Sequence, residues 1–117
     1  MSGGRHSQRK GRGAEIELAQ FLREHGLPDA RPGAPLNYGT EADVVGLPKV
    51  HIECKRAEAL RLNEWYRQAQ LDAQRMGGVP AVIFRQNRRP WMITLSLEDF
   101  LSLAGKELNA SDGKNPC

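Results

Sequence analysis

One stretch of this chain, residues 42–56, constrains its fold more than any other. The second half of the stretch alternates apolar with polar side chains. Because successive side chains of a strand point to opposite faces, the alternation predicts a strand with one buried face. The first half is short and apolar, and a Gly-Leu-Pro-Lys turn joins the halves, so we expect two adjacent strands. The apolar positions of the second strand are Val50, Ile52 and Cys54, and its polar positions are His51, Glu53 and Lys55.

Three charged side chains are expected to converge on the polar face of this hairpin. Glu53 and Lys55 should stand roughly 7 Å apart on one face at about 3.3 Å per residue, and the turn can bring Asp43 of the preceding strand opposite them. Two carboxylates in an apolar setting are costly unless a partner offsets their charge, and a hard divalent cation such as Mg²⁺ is the usual partner. The ion activates a bound water and Lys55 can hold that water or a phosphate oxygen, so the set suits phosphodiester hydrolysis.

Three alternatives stay open around this hairpin. A glutamate and a lysine two residues apart are common, so the polar face could simply be the solvated side of a ribbon. His51 shares the face of Glu53 and could act as a ligand or a base, or it could be a half-buried histidine of the strand. Gln70, farther along the chain, flanks an apolar helix stripe and could reach the site or remain in solvent.

A helix is predicted from about Gly13 to His25. The apolar residues of its stripe lie three, four and seven positions after Glu15, so that carboxylate falls in line with the buried face, whereas Glu17 is expected on the solvent side. Glu15 is therefore a candidate site residue, and the simpler alternative is that it only complements the helix dipole. The apolar residues of this stripe are Leu18, Ala19 and Leu22.

The rest of the chain predicts further strands and helices. We expect a helix over Leu62–Met76, a strand over Val79–Arg85, a strand over Trp91–Leu95, and a short helix that begins at the N-cap Ser96 and ends near Leu103. The order α, β, β, α, β, β, α predicts an α/β fold in which helices cover a mixed sheet. Because the helix after the hairpin links two strands as a crossover, those strands should run parallel.

Composition divides the chain into three parts. Residues 1–12 are rich in Gly, Arg, Lys and Ser and predict a flexible basic arm, residues 13–104 predict a single domain, and residues 105–117 predict a disordered tail. The basic side chains of the arm are available to DNA phosphates, although a solubilising tail is the alternative. They include Arg9, Lys10 and Arg12.

Several function classes are disfavoured by the sequence. The 117 residues suffice for one domain, and the net charge of +3 permits an anionic partner such as nucleic acid. Cys54 and Cys117 are not placed for a structural disulfide, which favours a reduced, cytoplasmic setting. No apolar run has the length of a membrane span, no glycine-rich loop carries a Lys-Ser/Thr pair for a nucleotide, and no Cys or His pair has zinc spacing.

Taken together, the residues resemble a known family. Asp43 followed by Glu53-Cys54-Lys55 on the next strand is similar to the motif of the PD-(D/E)xK nucleases. Within that superfamily the chain resembles the archaeal-type Holliday junction resolvases and their phage counterparts. Residues 9–18 are similar to the opening helix of that family, and residues 76–82 resemble its helix-to-strand junction. The resemblance covers roughly residues 9–103 and implies a restriction-endonuclease-like fold.

The resemblance also implies an activity and a set of site residues. It implies an endonuclease that depends on Mg²⁺ (or Mn²⁺) and cuts branched DNA, with Glu15, Asp43, Glu53 and Lys55 as catalytic residues. The ion would be held by Asp43, Glu53 and the main-chain carbonyl of Cys54, with Glu15 acting directly or through a water. A nicking, flap or packaging-associated phage nuclease, a DNA-binding module without activity, and a protein–protein adaptor are the alternatives.

Two further expectations follow from the family. Arg31 resembles a phosphate-contacting arginine after the opening helix, which makes it a candidate DNA contact. A homodimer is implied, because a four-way junction requires two symmetric cuts. Trp65, Tyr66 and Trp91 are the aromatic residues expected to be exposed for such an interface.

Overall fold

The structure is a computed structural model that describes residues 2–37 and 39–114, with side chains described for residues 12–37 and 39–108. It has the predicted α/β architecture, in which helices flank a mixed five-stranded sheet, consistent with a restriction-endonuclease-like fold. The helices are α1 (Ser2–Glu24), α2 (Leu62–Met76) and α3 (Leu97–Lys114). The strands are β1 (Arg31–Pro32), β2 (Pro35–Leu36), β3 (Gly39–Thr40), β4 (Val44–Val45), β5 (Val50–Arg56), β6 (Val79–Arg85) and β7 (Met92–Thr94).

The sheet has the strand order β1-β4-β5-β6-β7. The hairpin expected at residues 42–56 forms the antiparallel pair β4–β5, in which Val44 lies opposite Ile52. β5 and β6 run parallel along their whole length, because α2 carries the chain back across the sheet between them. β1 and β7 pair antiparallel at the two edges, and β2 and β3 form a small separate hairpin.

The two helices that cover the sheet create two apolar layers. On one face, α1 packs Leu18 and Leu22 against Ile52, Cys54 and Ile83 of the central strands. On the other face, α2 packs against β6. Trp65, Tyr66 and Trp91 are half-buried against these layers, so the expectation that they are exposed is wrong. The second layer has Ala69, Val82 and Phe84 at its centre.

The predicted bounds are most accurate in the middle of the chain and least accurate at its ends. α2, β5 and β6 begin and end where the sequence places them. α1 begins at Ser2 and not at Gly13; no proline interrupts the polar residues before Gly13. α3 continues past Leu103 to Lys114, into the segment predicted to be disordered, because Gly105 does not end it. A glycine inside a helix costs only about 1 kcal/mol relative to alanine.

The division into arm, domain and tail stays a prediction. Within residues 2–37 and 39–114, none of the helices is both long enough and apolar enough to cross a membrane.

Candidate active site

Asp43 is fixed by main-chain hydrogen bonds on both sides. It lies in the bend just before β4, not within the strand as expected, and its amide donates to the carbonyl of Ile52 at 3.0 Å. Its Oδ2 accepts a hydrogen bond from the amide of Cys54 at 2.8 Å, which holds the carboxylate against β5. Gly33 donates to the carbonyl of Asp43 at 2.9 Å, and a Cβ at this glycine would lie 1.8 Å from the carbonyl oxygen of Ala42. Only glycine permits this close approach.

Glu53 and Lys55 lie together on the face of β5 that points toward α2. Glu53 is buried, and the Nζ of Lys55 is 3.6 Å from its Oε1. Burial, and after it the negative charge of Asp43, raises the pKa of Glu53 to about 7, although Lys55 acts in the opposite direction. Burial also raises the pKa of Asp43, against the hydrogen bond from Cys54. The two carboxyl groups are close enough to share a hydrogen bond when one is protonated.

Glu15 reaches the same place from α1. It lines a cavity of about 750 Å³ together with Asp43 and Glu53, as the apolar stripe of its helix predicts. Burial, followed by the charge of Asp43, raises the pKa of Glu15, whereas Arg12 lowers it from 3.6 Å away. Three carboxylates from a helix, a bend and a strand therefore share one cavity. Lys55 contacts Glu53 but does not line that cavity.

The sequence interpretation missed the wall of the cavity that α2 supplies. Gln68 and Asp72 line it, and Nε2 of Gln68 donates to Oδ1 of Asp72 at 3.1 Å. The charge of Asp72 is one of the causes of the raised pKa of Glu53. Asp72 lies three residues after Ala69 on the apolar stripe of α2, so the signal that identified Glu15 could have identified it too. Gln70, the residue we considered, is exposed and does not line the cavity.

Residues 6–112 match the model of a family described as "Phage putative PDDEXK endonuclease". The chain belongs to this family. The match includes Glu15, Asp43, Glu53 and Lys55, and it supports the PD-(D/E)xK resemblance without extending to Holliday junction resolvases. Neither the curated proteins nor the solved structures that were searched gave a match.

His51 lies inside the cavity of this PDDEXK chain. It is buried on β5 and lines the cavity two residues before Glu53. Burial lowers the pKa of His51, although the charges of Asp72 and Asp43 raise it. The lowered pKa favours a neutral imidazole near pH 7, which has one nitrogen free to accept a proton. The structure thus brings His51 to the site.

Of the candidate DNA contacts, the structure describes the side chains of Arg12 and Arg31. Arg12 lines the cavity beside Glu15, and its Nη1 also donates to the carbonyl of Gly33 at 3.3 Å. Arg31 makes a two-pronged pair with Glu41 at 2.8 Å and 3.1 Å, so a phosphate would have to compete with that carboxylate. The side chains of Arg9 and Lys10 lie outside the described residues.

The donors available for a metal ion are mainly oxygens, with the imidazole of His51 beside them. Within the described parts of the chain, no three or more His, Cys, Asp or Glu side chains are arranged to hold an ion together. Asp43 and Glu53 are the pair that could contribute to such a site, since both line the cavity and the charge of Asp43 raises the pKa of Glu53. The carbonyl of Cys54 points to the same side of β5 as its amide, which bonds Asp43. Two carboxylates and a carbonyl suit Mg²⁺, which retains several waters.

Proposed function

We propose that this chain is a metal-dependent endonuclease that hydrolyses phosphodiester bonds in DNA, with Glu15, Asp43, Glu53 and Lys55 as its active-site residues. One observation carries the proposal: Glu15, Asp43 and Glu53 share a cavity that Glu41 and Asp72 also line, and the pKa of Glu53 is raised to about 7. Such an arrangement opposes folding unless a cation offsets the charge. Membership of a phage endonuclease family supports a nuclease, and the metal and the kind of DNA go beyond it.

The proposed ion is Mg²⁺, for which Mn²⁺ can substitute. Asp43, Glu53 and the carbonyl of Cys54 would hold it, with Glu15 acting directly or through a water. When bound, the ion would lower the pKa of a water and offset the negative charge that develops at phosphorus. Mg²⁺ commonly takes one or two carboxylates and completes its shell with water and substrate phosphate, so a pair of carboxylates is a suitable donor set.

The chain's own side chains supply orientation and proton transfer. The ammonium of Lys55 lies beside Glu53, where it can hold the attacking water or a non-bridging phosphate oxygen. The neutral imidazole of His51 can accept a proton within the cavity. Arg12 stands beside Glu15 with its side chain largely exposed, and it can hold a phosphate of the bound strand.

We propose branched DNA as the substrate, in keeping with the resemblance to the resolvases. Symmetric cleavage of a four-way junction needs two active sites, so this substrate goes with a homodimer. A nicking, flap or packaging-associated nuclease would use the same four residues. The catalytic chemistry and the choice of DNA are therefore separate proposals and need separate tests.

The test is a cleavage panel in which the full chain meets four-way junctions, flaps, nicked duplex, plain duplex and single strands, with Mg²⁺ or with a chelator. We expect cleavage that requires the metal, is fastest on the junction, and is lost in Asp43→Asn. Asp29→Asn, at an exposed position outside the cavity, is the matched control and should cut normally. Cleavage by Asp43→Asn, or undiminished cleavage with the chelator, would contradict the mechanism. A preference for flaps or nicks would contradict only the substrate.

A second readout tests the metal without activity. Ligands that bind the folded state raise its stability, so Mn²⁺ should raise the melting temperature of the wild-type chain. The rise should disappear in Asp43→Asn and persist in Asp29→Asn. An equal rise in both variants would place the ion elsewhere.

A further inference from the structure

Helix α3 carries an apolar stripe that no other described part of the chain covers. Leu97, Phe100, Leu101 and Leu108 follow the spacing of one helix face, and their exposed fractions are 70%, 46%, 47% and 42%. Within the described residues, no member of α3 belongs to either apolar layer, and α3 packs extensively against no other helix or strand. Its start is nevertheless well formed, because Ser96 Oγ accepts a hydrogen bond from the amide of Asp99 at 3.0 Å. A stable, apolar helix face without a partner predicts an interface.

An apolar groove of matching character lies beside the edge strand β7. It has a volume of about 370 Å³ and is lined by Leu60, Phe84 and Met92, with Arg89 and Pro90 among its other residues. Leu60 and Met92 are 40% and 51% exposed, whereas Phe84 is buried and forms part of the lining. β7 pairs with β6 on one side and is an edge of the sheet on the other. No described residue of α3 lines the groove, so the helix does not cover the groove of its own chain.

The charges beside the α3 stripe are complementary to those of the groove, but not to those of a second α3 helix. Glu98 follows Leu97 and Glu107 precedes Leu108, which places one carboxylate on each side of the apolar stripe. Arg89 lines the groove, and Arg61 follows the groove residue Leu60. Two α3 stripes facing each other would leave these carboxylates without an opposite charge along both flanks, whereas the groove offers arginines.

We propose that a second copy of this chain docks at this surface, with the α3 stripe of each protomer in the β7 groove of its partner. Each chain carries both halves of the contact, so a two-fold axis forms it twice. Six half-exposed apolar side chains, at roughly 100 Å² each, give about 600 Å² per protomer, against about 800 Å² per partner in a stable interface. The charged flanks add to that area. A homodimer already accompanies the proposed branched-DNA substrate, and this inference adds the surface that forms it. The surface is argued from α3 and the groove alone, so it holds whether or not the chain cuts DNA.

The first test is the oligomeric state of the full chain, measured by sedimentation over a range of concentrations. We expect a dimer whose dissociation constant rises about 100-fold in Leu101→Ser, because each dimer loses two buried leucines. Leu71→Ser is the matched control, since Leu71 lies on α2, is 51% exposed and belongs to neither half of the contact. Circular dichroism checks that both variants stay folded. A wild-type chain that is monomeric throughout, or equal effects of the two substitutions, would overturn the proposal.

The second test locates the contact by disulfide formation. In a Cys117→Ser background, where Cys54 is buried, chains carrying Met92→Cys are mixed with chains carrying Leu101→Cys. We expect a cross-linked dimer in the mixture and little in either chain alone. Strong cross-linking of Leu101→Cys chains by themselves would show helix against helix and overturn the groove, as would no cross-link in the mixture. Asp43→Asn should dimerise normally, which separates this inference from the proposed catalysis.

Discussion

The two faces of strand β5 are buried to similar extents and serve opposite purposes. On the face toward α1, Ile52 is 0% and Cys54 8% exposed, and both pack among apolar side chains. On the face toward α2, His51 is 6% and Glu53 8% exposed, and both line the cavity. One strand of seven residues therefore provides part of the core with its even positions and the centre of the candidate site with its odd positions.

The difference between the faces lies in what surrounds each buried group. Apolar neighbours stabilise Ile52 by roughly 1.5–3 kcal/mol relative to an exposed side chain. Glu53 meets Asp43 across the hairpin, and like charges at low dielectric oppose one another. We therefore expect the even face to contribute stability and the odd face to reduce it, in keeping with the cation site proposed above. Substitutions on each face should separate stability from activity.

The largest effect is expected from Glu53→Gln. The substitution keeps the size of the side chain but removes a proposed metal ligand, so we expect cleavage to fall by at least about 1,000-fold, the scale seen when a major electrostatic contribution is lost. Stability at neutral pH should be equal or higher, because the repulsion with Asp43 disappears. Cleavage rates and urea unfolding of the same preparation check both parts. A destabilised, active variant would reverse the assignment of the two faces.

The next effect is expected from Ile52→Ala on the opposite face. Ile52 is one of the largest fully buried side chains, and its truncation leaves a cavity in the layer under α1. We expect unfolding to become easier by about 3 kcal/mol. Cleavage per folded molecule should stay within about tenfold of wild type, since the side chain points away from the site. Urea unfolding measures the change in stability. Active-site titration well below the melting temperature gives the cleavage rate per folded molecule. A loss of activity as large as that of Glu53→Gln would show that the faces are not independent.

A pH profile of stability probes the odd face without any substitution. The pKa of Glu53 is about 7 in the folded chain and 4.5 when unperturbed, so the folded state binds its proton more tightly. Its stabilising contribution is fully present below pH 4.5 and is lost as the pH rises through about 7. Glu15 and Asp43 act in the same direction, while His51, whose pKa is lowered, acts in the other. We expect a loss of about 2 kcal/mol in metal-free buffer.

Denaturant unfolding across this pH range, with Glu53→Gln as the control, measures the loss. The variant should give a flatter profile, and added Mn²⁺ should restore the wild-type stability at the upper end of the range. A wild-type profile that rises with pH across this range would mean that the carboxylates are paired with cations in the folded chain.

A smaller effect is expected from Asp72→Asn. The charge of Asp72 raises the pKa of Glu53 and the pKa of His51. Asp72 acts on these two residues of β5 from helix α2. Its removal should lower both pKa values, so the stability loss should begin at a lower pH and the acid limb of the cleavage profile should shift the same way. Asp99→Asn, on α3 and outside the cavity, is the control. No shift in either profile would remove Asp72 from the site.

The sequence predicts the centre of this molecule well because its signals there are local. Alternation along residues 50–56 defines β5, and the glycines after α2 end that helix, with the amide of Gly77 bonded to the carbonyl of Ala73 at 2.7 Å. Glu15 could be found because a carboxylate interrupts an apolar stripe. The same local rule applied to α2 would have found Asp72.

The remaining features depend on contacts between distant parts of the chain. The first residues of α1 and the last of α3 have little apolar periodicity, so nothing local marks where those helices begin or end. Glu17 was expected on the solvent side, yet it pairs with Arg56 and Arg85, which lie 39 and 68 residues away. No period within α1 could reveal partners that the sheet supplies.

The smallest effect in the comparison of the two faces is expected at Glu17. This residue is a carboxylate on the α1 side whose charge is paired with two arginines. One oxygen accepts from Arg56 at 2.7 Å and the other from Arg85. All three side chains are about one-third exposed, so solvent screens the pairs and Glu17→Gln should cost only about 0.5–1 kcal/mol. The cost should shrink in high salt, and Glu24→Gln, at an exposed position of the same helix, should cost less. Unlike Glu53→Gln, this substitution should not raise stability. A rise would mean that the charges around a carboxylate, arginines for Glu17 and Asp43 for Glu53, do not predict its effect on stability.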